Sequence, residues 1–371
     1  MRVPIRTSVA LQDASRAMQV CNACRYCEGF CAVFPAMELR REFASTDLTY
    51  LANLCHNCRA CFYACQYAPP HEFGINLPRT LADLRAETWE EYAWPGFLAG
   101  LFRRNGTVVA LATALGIALL LLLTGLLRDP AVLYGVHTAP GAFYLVIPSW
   151  AMVSVAAATF SFSIVALIAG AVRYWKGTAS GPFPGARAWW RALVDVATLR
   201  NLGGGGDGCN EQDEGFSQAR RWLHHALFYG FALCFASTIV AAFYEHGLGR
   251  LSPFPFASLP VLLGTVGGLG MTVGTAGMLW FKIAADPEPG APRLLGTDFA
   301  FILLILLTAV TGLVLLALRA TGAMGTLLAV HLGCVLALFV VMPYSKFVHG
   351  IYRGAALLRN AVEQAAAPRD D

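Results

Sequence analysis

Apolar positions are spread unevenly along this chain. From about residue 105 onward they gather into long runs separated by short charged loops. Six runs reach the ~20 residues a helix needs to cross roughly 30 Å of hydrocarbon. They cover 107–127, 145–172, 223–244, 259–281, 299–318 and 326–347. Gly and Pro interrupt several of them, which lipid-embedded helices tolerate better than soluble ones. Residues 1–95 have no such run and carry the polar content of a soluble domain. The pattern predicts an all-α fold, a polar N-terminal domain followed by a six-span transmembrane helical bundle.

Composition agrees with that division. Hydrophobic residues make up 57% of the 371 positions and charged residues 13%, where a soluble domain runs near a quarter charged. The net charge of +4 is too small to suggest nucleic acid. The placement of the basic residues is more telling. One set of loops carries Arg103, Arg104, Arg173, Lys176, Arg187, Arg191, Arg200, Arg220, Arg221, Lys282, Arg293, Lys346, Arg353 and Arg359, and the opposite set only Arg128, Arg250 and Arg319. By the positive-inside rule the N-terminal domain, the 177–221 loop and the C-terminus face the cytoplasm. The opening stretch MRVPIRTSVALQDASRAM has no continuous apolar core, so no secretory signal is expected. Cysteines in such a reducing compartment favour metal ligation over disulfides.

Eight of the eleven cysteines fall in residues 1–95, in two matching units. The first is Cys21-x2-Cys24-x2-Cys27-x3-Cys31 and the second is Cys55-x2-Cys58-x2-Cys61-x3-Cys65. Arg25 and Arg59 follow the second cysteine of each. This run is the signature of two-cluster ferredoxins, in which three close thiolates hold one cubane and the fourth ligates the other. The expected ligand sets are Cys21, Cys24, Cys27 and Cys65 for one [4Fe-4S] cluster, and Cys55, Cys58, Cys61 and Cys31 for the second. Structural zinc pairs two C-x2-C knuckles and fits the doubled triplets poorly. Helix formers between the units point to an all-helical ferredoxin domain like that of succinate-dehydrogenase-type iron–sulfur subunits. Cys209, Cys234 and Cys334 are isolated and read as packing residues. The 177–221 loop, with LGGGGDGCNEQDEG, reads as a flexible loop or subunit-docking surface.

Histidines in a membrane span are costly and mark function by default. His331 lies near the outer end of the sixth run and His349 near its inner end, about five turns and ~27 Å away along one helix. Pro343 lies between them as a candidate kink. His224 and His225 open the third run on the inner side, and His246 follows its outer end. A bis-histidine haem needs two imidazoles at one depth on facing helices. By depth His349 pairs with His224 or His225, and His331 with His246. One or two haems b are therefore expected. His56 reads as a neighbour of the cluster ligands or a surface residue, and His71 and His137 as loop residues. Lys282, Tyr344, Lys346 and Arg221 read as solvated anchors near the inner surface.

Several stretches carry a family resemblance. QARRWLHHALFYGFALCFAST, PVLLGTVGG, TDFAFILLILLTAVTGLVLLALRATGAMG and HLGCVLALFVVMPYSKFVHGIYR, with the two cysteine runs, resemble the tricarballylate/citrate utilisation protein B family from about residue 18 to 363. The architecture is similar to the C-terminal half of a flavohaem iron–sulfur protein of cobalamin synthesis, and the last four spans to haem b subunits of nitrate and heterodisulfide reductases. The resemblance implies a chain in a bacterial inner membrane that reoxidises the FAD of a separate tricarballylate-type dehydrogenase. Electrons would pass through two [4Fe-4S] clusters and haem b to the quinone pool. The eight cysteines match the family's cluster ligands, and His224 or His225, His331 and His349 its plausible haem positions. The chain has no Rossmann fingerprint and no acid/base constellation for oxidising an organic substrate itself. A redox module for a flavin mono-oxygenase in cobalamin synthesis and a membrane-bound iron–sulfur sensor are the competing readings. The expected segments are a ferredoxin domain at 1–95, two spans at 96–176, the loop at 177–221, a four-helix haem bundle at 222–350 and a cytoplasmic tail at 351–371.

Overall fold

A computed structural model describes residues 8–179 and 183–367. The ends of the expected first and last segments (1–7 and 368–371) and residues 180–182 of the loop lie outside the described residues. The chain is helical throughout, and a single bridge between Cys209 and Ser217 is the one β pairing among the described residues.

The N-terminal domain is built from α1 (Val9–Cys24), α2 (Val33–Glu38), α3 (Ser45–Leu54), α4 (Ala60–Tyr63) and α5 (Leu77–Tyr92). Local sequence sets their ends. Ser8 caps α1 by accepting from the Leu11 N–H at 3.1 Å, and Asn76 caps α5 by accepting from Arg79 N–H at 3.2 Å. Such caps satisfy donors that the first helical turn leaves free. Met18, Phe34, Met37, Tyr50, Leu51, Leu54 and Leu81 fill the core.

Six helices are long and apolar enough to cross a membrane. They are α6 (Asn105–Leu127), α9 (Ser149–Thr178), α11 (Ala219–Leu248), α12 (Leu259–Ala284), α13 (Leu295–Leu318) and α14 (Met324–Val341). Two short helices, α7 (Pro130–Leu133) and α8 (Ala142–Val146), fill the connection between α6 and α9. Each of the six apolar runs forms one of these helices. Lipid offers no hydrophobic drive for helix association, so small residues that allow close approach decide which helices pair. A Cβ added at Gly274 would lie 2.5 Å from Leu227 N, and one at Gly230 would lie 2.6 Å from Met271 N. These glycines seat α11 directly on α12. Gly116 and Gly333 do the same for α6 and α14. Aromatic side chains bridge α9, α11 and α14, with Phe160 5.4 Å from Phe235 and 5.1 Å from Phe339 between ring centroids.

Two segments differ from expectation. The sixth span stops at Val341, and a 3-10 turn at Met342–Tyr344 replaces its continuation. Pro343 lacks the N–H that would extend the helix. Residues beyond it re-form as α15 (Val348–Ala366), which is no free tail. Ala356, Leu357, Leu358 and Ala361 of α15 belong to the core of the N-terminal domain. Arg359 joins Asp47 and Glu363, both at 2.8 Å, and its guanidinium stacks over Tyr50 at 4.1 Å. Arg40 closes the network onto Asp47 at 2.8 Å and Glu363 at 2.6 Å. The 177–221 loop is also structured. It contains α10 (Ala186–Ala197), packed against α15, and a 3-10 turn over Arg200–Gly206. The loop between α12 and α13 reaches the same domain, with Asn76 donating to Glu288 O at 2.8 Å. The loops read as inner from their basic residues thus converge on the N-terminal domain.

Candidate functional site

The two cysteine runs share one backbone device. Arg25 and Arg59, at equivalent places in the repeat, take left-handed conformations with φ of 56° and 69°. Each reverses the chain after the second cysteine so that the third points back beside the first two. Two pockets result. Cys21, Cys24, Cys27 and Cys65 line one, and Cys31, Cys55 and Cys58 line the other, with Cys61 bordering both. The fourth cysteine of each run lines the pocket of the other unit. At least four cysteines line each pocket, a donor set that suits an iron–sulfur cluster.

The two pockets differ in exposure. Cys21, Cys24, Cys27 and Cys65 are half-buried beside the exposed Tyr26. Gln66 reaches the rim, with its Nε2 3.7 Å from Cys24 Sγ. In the second pocket Cys55 and Cys58 are buried. The Asn57 N–H lies 3.3 Å from Cys55 Sγ, the kind of donor that stabilises a ligating thiolate. The glycine-rich segment, read as a flexible loop or docking surface, forms the cover of this second pocket. Asn210 N–H donates to Cys58 O at 3.0 Å, and Cys209 is buried with its thiol donating to Leu202 O at 3.0 Å. Gly205 sits at φ 88°, and a Cβ there would stand 2.9 Å from Gly29 O. Only glycine combines that dihedral with that approach. Burial pushes the Cys58 thiol up to about 12, with the neighbouring Cys209 adding to it.

Beneath the second pocket lie the histidines. The rings of His224 on α11 and His349 on α15 have centroids 6.3 Å apart. Two imidazoles that ligate one metal from opposite sides, each nitrogen about 2 Å from it, place their centroids about 6 Å apart. His349 Nδ1 lies 2.5 Å from Lys346 O. That contact fixes the tautomer and leaves Nε2 free for a ligand. His224 Nδ1 is buried without a partner. These observations fit a bis-histidine haem at this pair. His225 packs instead against Trp222 and Tyr229, both exposed, at 5.8 Å from each. His224 is thus the ring of the adjacent pair that faces His349, while His225 Nε2 is likewise buried without a partner. His56 is buried, with Nδ1 2.8 Å from Leu54 O, and lines the second cysteine pocket. Burial and then the charge of Arg353 hold it neutral, well below its ordinary value.

The expected outer pairing of His331 with His246 does not form. His246 is exposed on the last turn of α11. His331 is turned toward α13, with Nδ1 3.1 Å from Thr311 Oγ1 and its ring against Gly312. Depth explains the failure. About 10 residues, on the order of 15 Å, separate His331 from the break after α14, and the same rise along α11 from His224 ends near residue 234. His246 lies roughly 18 Å farther out. The break at Pro343 also removes His349 from the helix that carries His331, so the spacing expected along one continuous helix does not hold.

Three of the four presumed surface anchors are internal. Asp298 at the inner end of α13 pairs with Lys346 Nζ at 2.5 Å and with Lys282 Nζ. Tyr344 is buried and donates to Trp94 O at 2.9 Å. Arg221 donates to Thr198 O at 2.8 Å. Asp298 itself was not singled out from the sequence, although a lone carboxylate bordering so apolar a span is a marker that could have found it.

Known proteins show the same two-part division. Residues 14–91 match the model described as the citrate utilization protein B Fer4-like domain, and residues 100–370 that of citrate utilization protein B. The chain belongs to the citrate utilization protein B family. It is 49% identical over 359 residues to citrate utilization protein B of Escherichia coli, covering 95% of this chain and 92% of the relative. No solved structure matches the chain. The Fer4-like match spans all eight cysteines of the two runs and ends just short of Tyr92, the last residue of α5. The larger match holds every membrane span and α15.

Proposed function

We propose that this chain carries electrons from the reduced FAD of a partner dehydrogenase into the membrane quinone pool. The observation that carries the reading is the continuity of three sites: the half-buried cysteine pocket, the buried cysteine pocket, and the His224–His349 pair beneath it. When bound, two [4Fe-4S] clusters and one haem b would supply one-electron carriers along that line. The protein's own part is positional. Tyr26 and Gln66 leave the first pocket accessible to a flavoprotein surface. Gly204, Gly205 and Cys209 shield the second pocket from water. His56 and Arg353 occupy the ground between Cys55 and the histidines. The basic loops on the side of the cysteine domain support a cytoplasmic placement of that domain, with both termini on the same side of a bacterial inner membrane. The name of the Escherichia coli relative speaks of citrate utilization, and the family resemblance of the sequence suggests a partner dehydrogenase of the tricarballylate type.

The test is a rapid-mixing experiment with purified protein, a pre-reduced flavoprotein dehydrogenase and a soluble quinone. Cluster bleaching should come first, then b-type haem reduction, then quinol. Quinol formation that proceeds unchanged in a His349→Ala variant would remove haem from the route.

A further inference from the structure

Two guanidiniums beside Cys55, those of Arg85 and Arg353, make no ion pair with a carboxylate among the described residues. Arg85 on α5 is 7% exposed. Its Nε donates to Ala52 O at 2.8 Å, while its Nη2 is buried and has no partner. Arg353 on α15 donates from Nη2 to Cys55 O at 2.9 Å, and its Nε is likewise buried without a partner. Neither makes an ion pair among the described residues. The neighbouring carboxylates are already engaged, Glu211 with Arg220 at 2.9 Å and Asp298 with Lys282 and Lys346. The Cys55 thiolate stands beside both and offsets part of their charge, while Arg353 Nε, enclosed and unpartnered, is left to meet an anion that the chain itself does not provide.

The position of Arg353 narrows the choice. It follows His349 by four residues on α15, and residues at that spacing share a helix face. The same face thus presents an imidazole toward His224 and, one turn on, a guanidinium that touches the backbone of Cys55. We propose that Arg353 binds a carboxylate of the haem seated between His224 and His349, with Arg85 supplying the second positive charge. This rests on the haem reading given above. Arg353 then acts as a positioning residue that ties the haem edge to the buried cysteine pocket. Its charge favours the reduced, more negative haem. An inorganic anion such as phosphate has the same chemistry and is the competing occupant.

Wild-type, R353Q and R353K proteins, purified anaerobically in detergent, would be compared by haem content, by optical potentiometry and by the haem-propionate bending mode in resonance Raman spectra. In R353Q the haem should be retained and its reduced-to-oxidised ratio at fixed potential should fall about tenfold, a lowering of 59 mV for a one-electron couple. The propionate mode should move in R353Q, and R353K should recover part of the potential. Haem retained in R353Q with an unmoved potential and an unmoved propionate mode would overturn the proposal while leaving the haem ligands intact. A wild-type potential that follows phosphate concentration, with a propionate mode indifferent to the variant, would overturn it in favour of a free anion. Wild-type protein without haem b would instead overturn the underlying haem reading.

Discussion

His224 and His349 face one another at 6.3 Å between ring centroids although they stand on the third membrane span and on the C-terminal helix. The break at Met342–Tyr344 makes this meeting possible. A sixth span continued through Pro343 would hold His349 in line with α14. Ending the span frees α15 to turn beneath the cysteine domain and carry His349 to α11.

The first prediction follows from that pair. His224→Ala or His349→Ala should abolish b-type absorption in the purified protein. His225→Ala and His246→Ala should keep it, because one side chain packs on exposed aromatics and the other is exposed. His331→Ala should keep it also, since its ring is engaged by Thr311. A pyridine haemochrome assay on the five variants reads the outcome. Haem loss in the His331 variant would restore an outer site.

Gly205→Val should damage the second cysteine pocket selectively. The left-handed dihedral and the 2.9 Å approach to Gly29 O leave no room for a side chain. Of about eight iron atoms expected for two cubanes, roughly half should be lost, with the remaining cluster signal visible by electron paramagnetic resonance. Full iron content in the variant would show that the loop does not shape the pocket.

The Arg40–Asp47–Arg359–Glu363 network should hold α15 on the cysteine domain. Arg359 is 3% exposed at its side chain and engages two carboxylates. Arg359→Leu leaves Asp47 and Glu363 to share Arg40 alone and should cost about 3 kcal/mol. The variant should melt at lower temperature and expose α15 to limited proteolysis. Undiminished protection of the C-terminal segment would contradict the assignment.

Metal removal should make stability pH-dependent. Burial pushes the Cys21 and Cys58 thiols up to about 12 in the metal-free protein. An unfolded cysteine titrates near 8.5. Folding therefore favours the protonated thiols, and their contribution is full below pH ~8.5 and lost as pH rises toward 12. Chelator-stripped protein should melt lower at pH 10 than at pH 7. Loaded protein, whose thiolates are already ligated, should change less. Equal melting of the stripped protein at both values would argue against buried thiols.

How much of this was legible in the sequence depends on range. The six spans and the doubled cysteine runs are local patterns, one of hydrophobic run length and one of residue spacing, and the helices and both pockets follow them. The crossing of Cys31 and Cys65 is an expectation from the ligation habit attached to that spacing, and the linings of the two pockets are compatible with it. His349 was placed on the wrong element, because a proline says that a helix is disturbed without saying whether it bends or ends. The tail was misread for a similar reason. Arg359 and Glu363 look like solvated charges until Arg40 and Asp47, from the opposite end of the chain, are brought to them. The four consecutive glycines read as part of a flexible loop or docking surface, because the backbone they approach, the Cys27–Cys31 turn, belongs to the first cysteine run, far earlier in the chain. Arg85 and Arg353 gave no local signal at all, as each is an ordinary helical arginine until folding brings it beside Cys55.

The measurement that bears most directly on the account is a metal, haem and spectral inventory of the protein purified anaerobically in detergent. The account predicts about eight iron atoms and one haem b per chain, broad cluster absorption in the oxidised protein, and sharp b-type bands on dithionite reduction. Zinc in place of iron, or full iron without b-type bands, would contradict it.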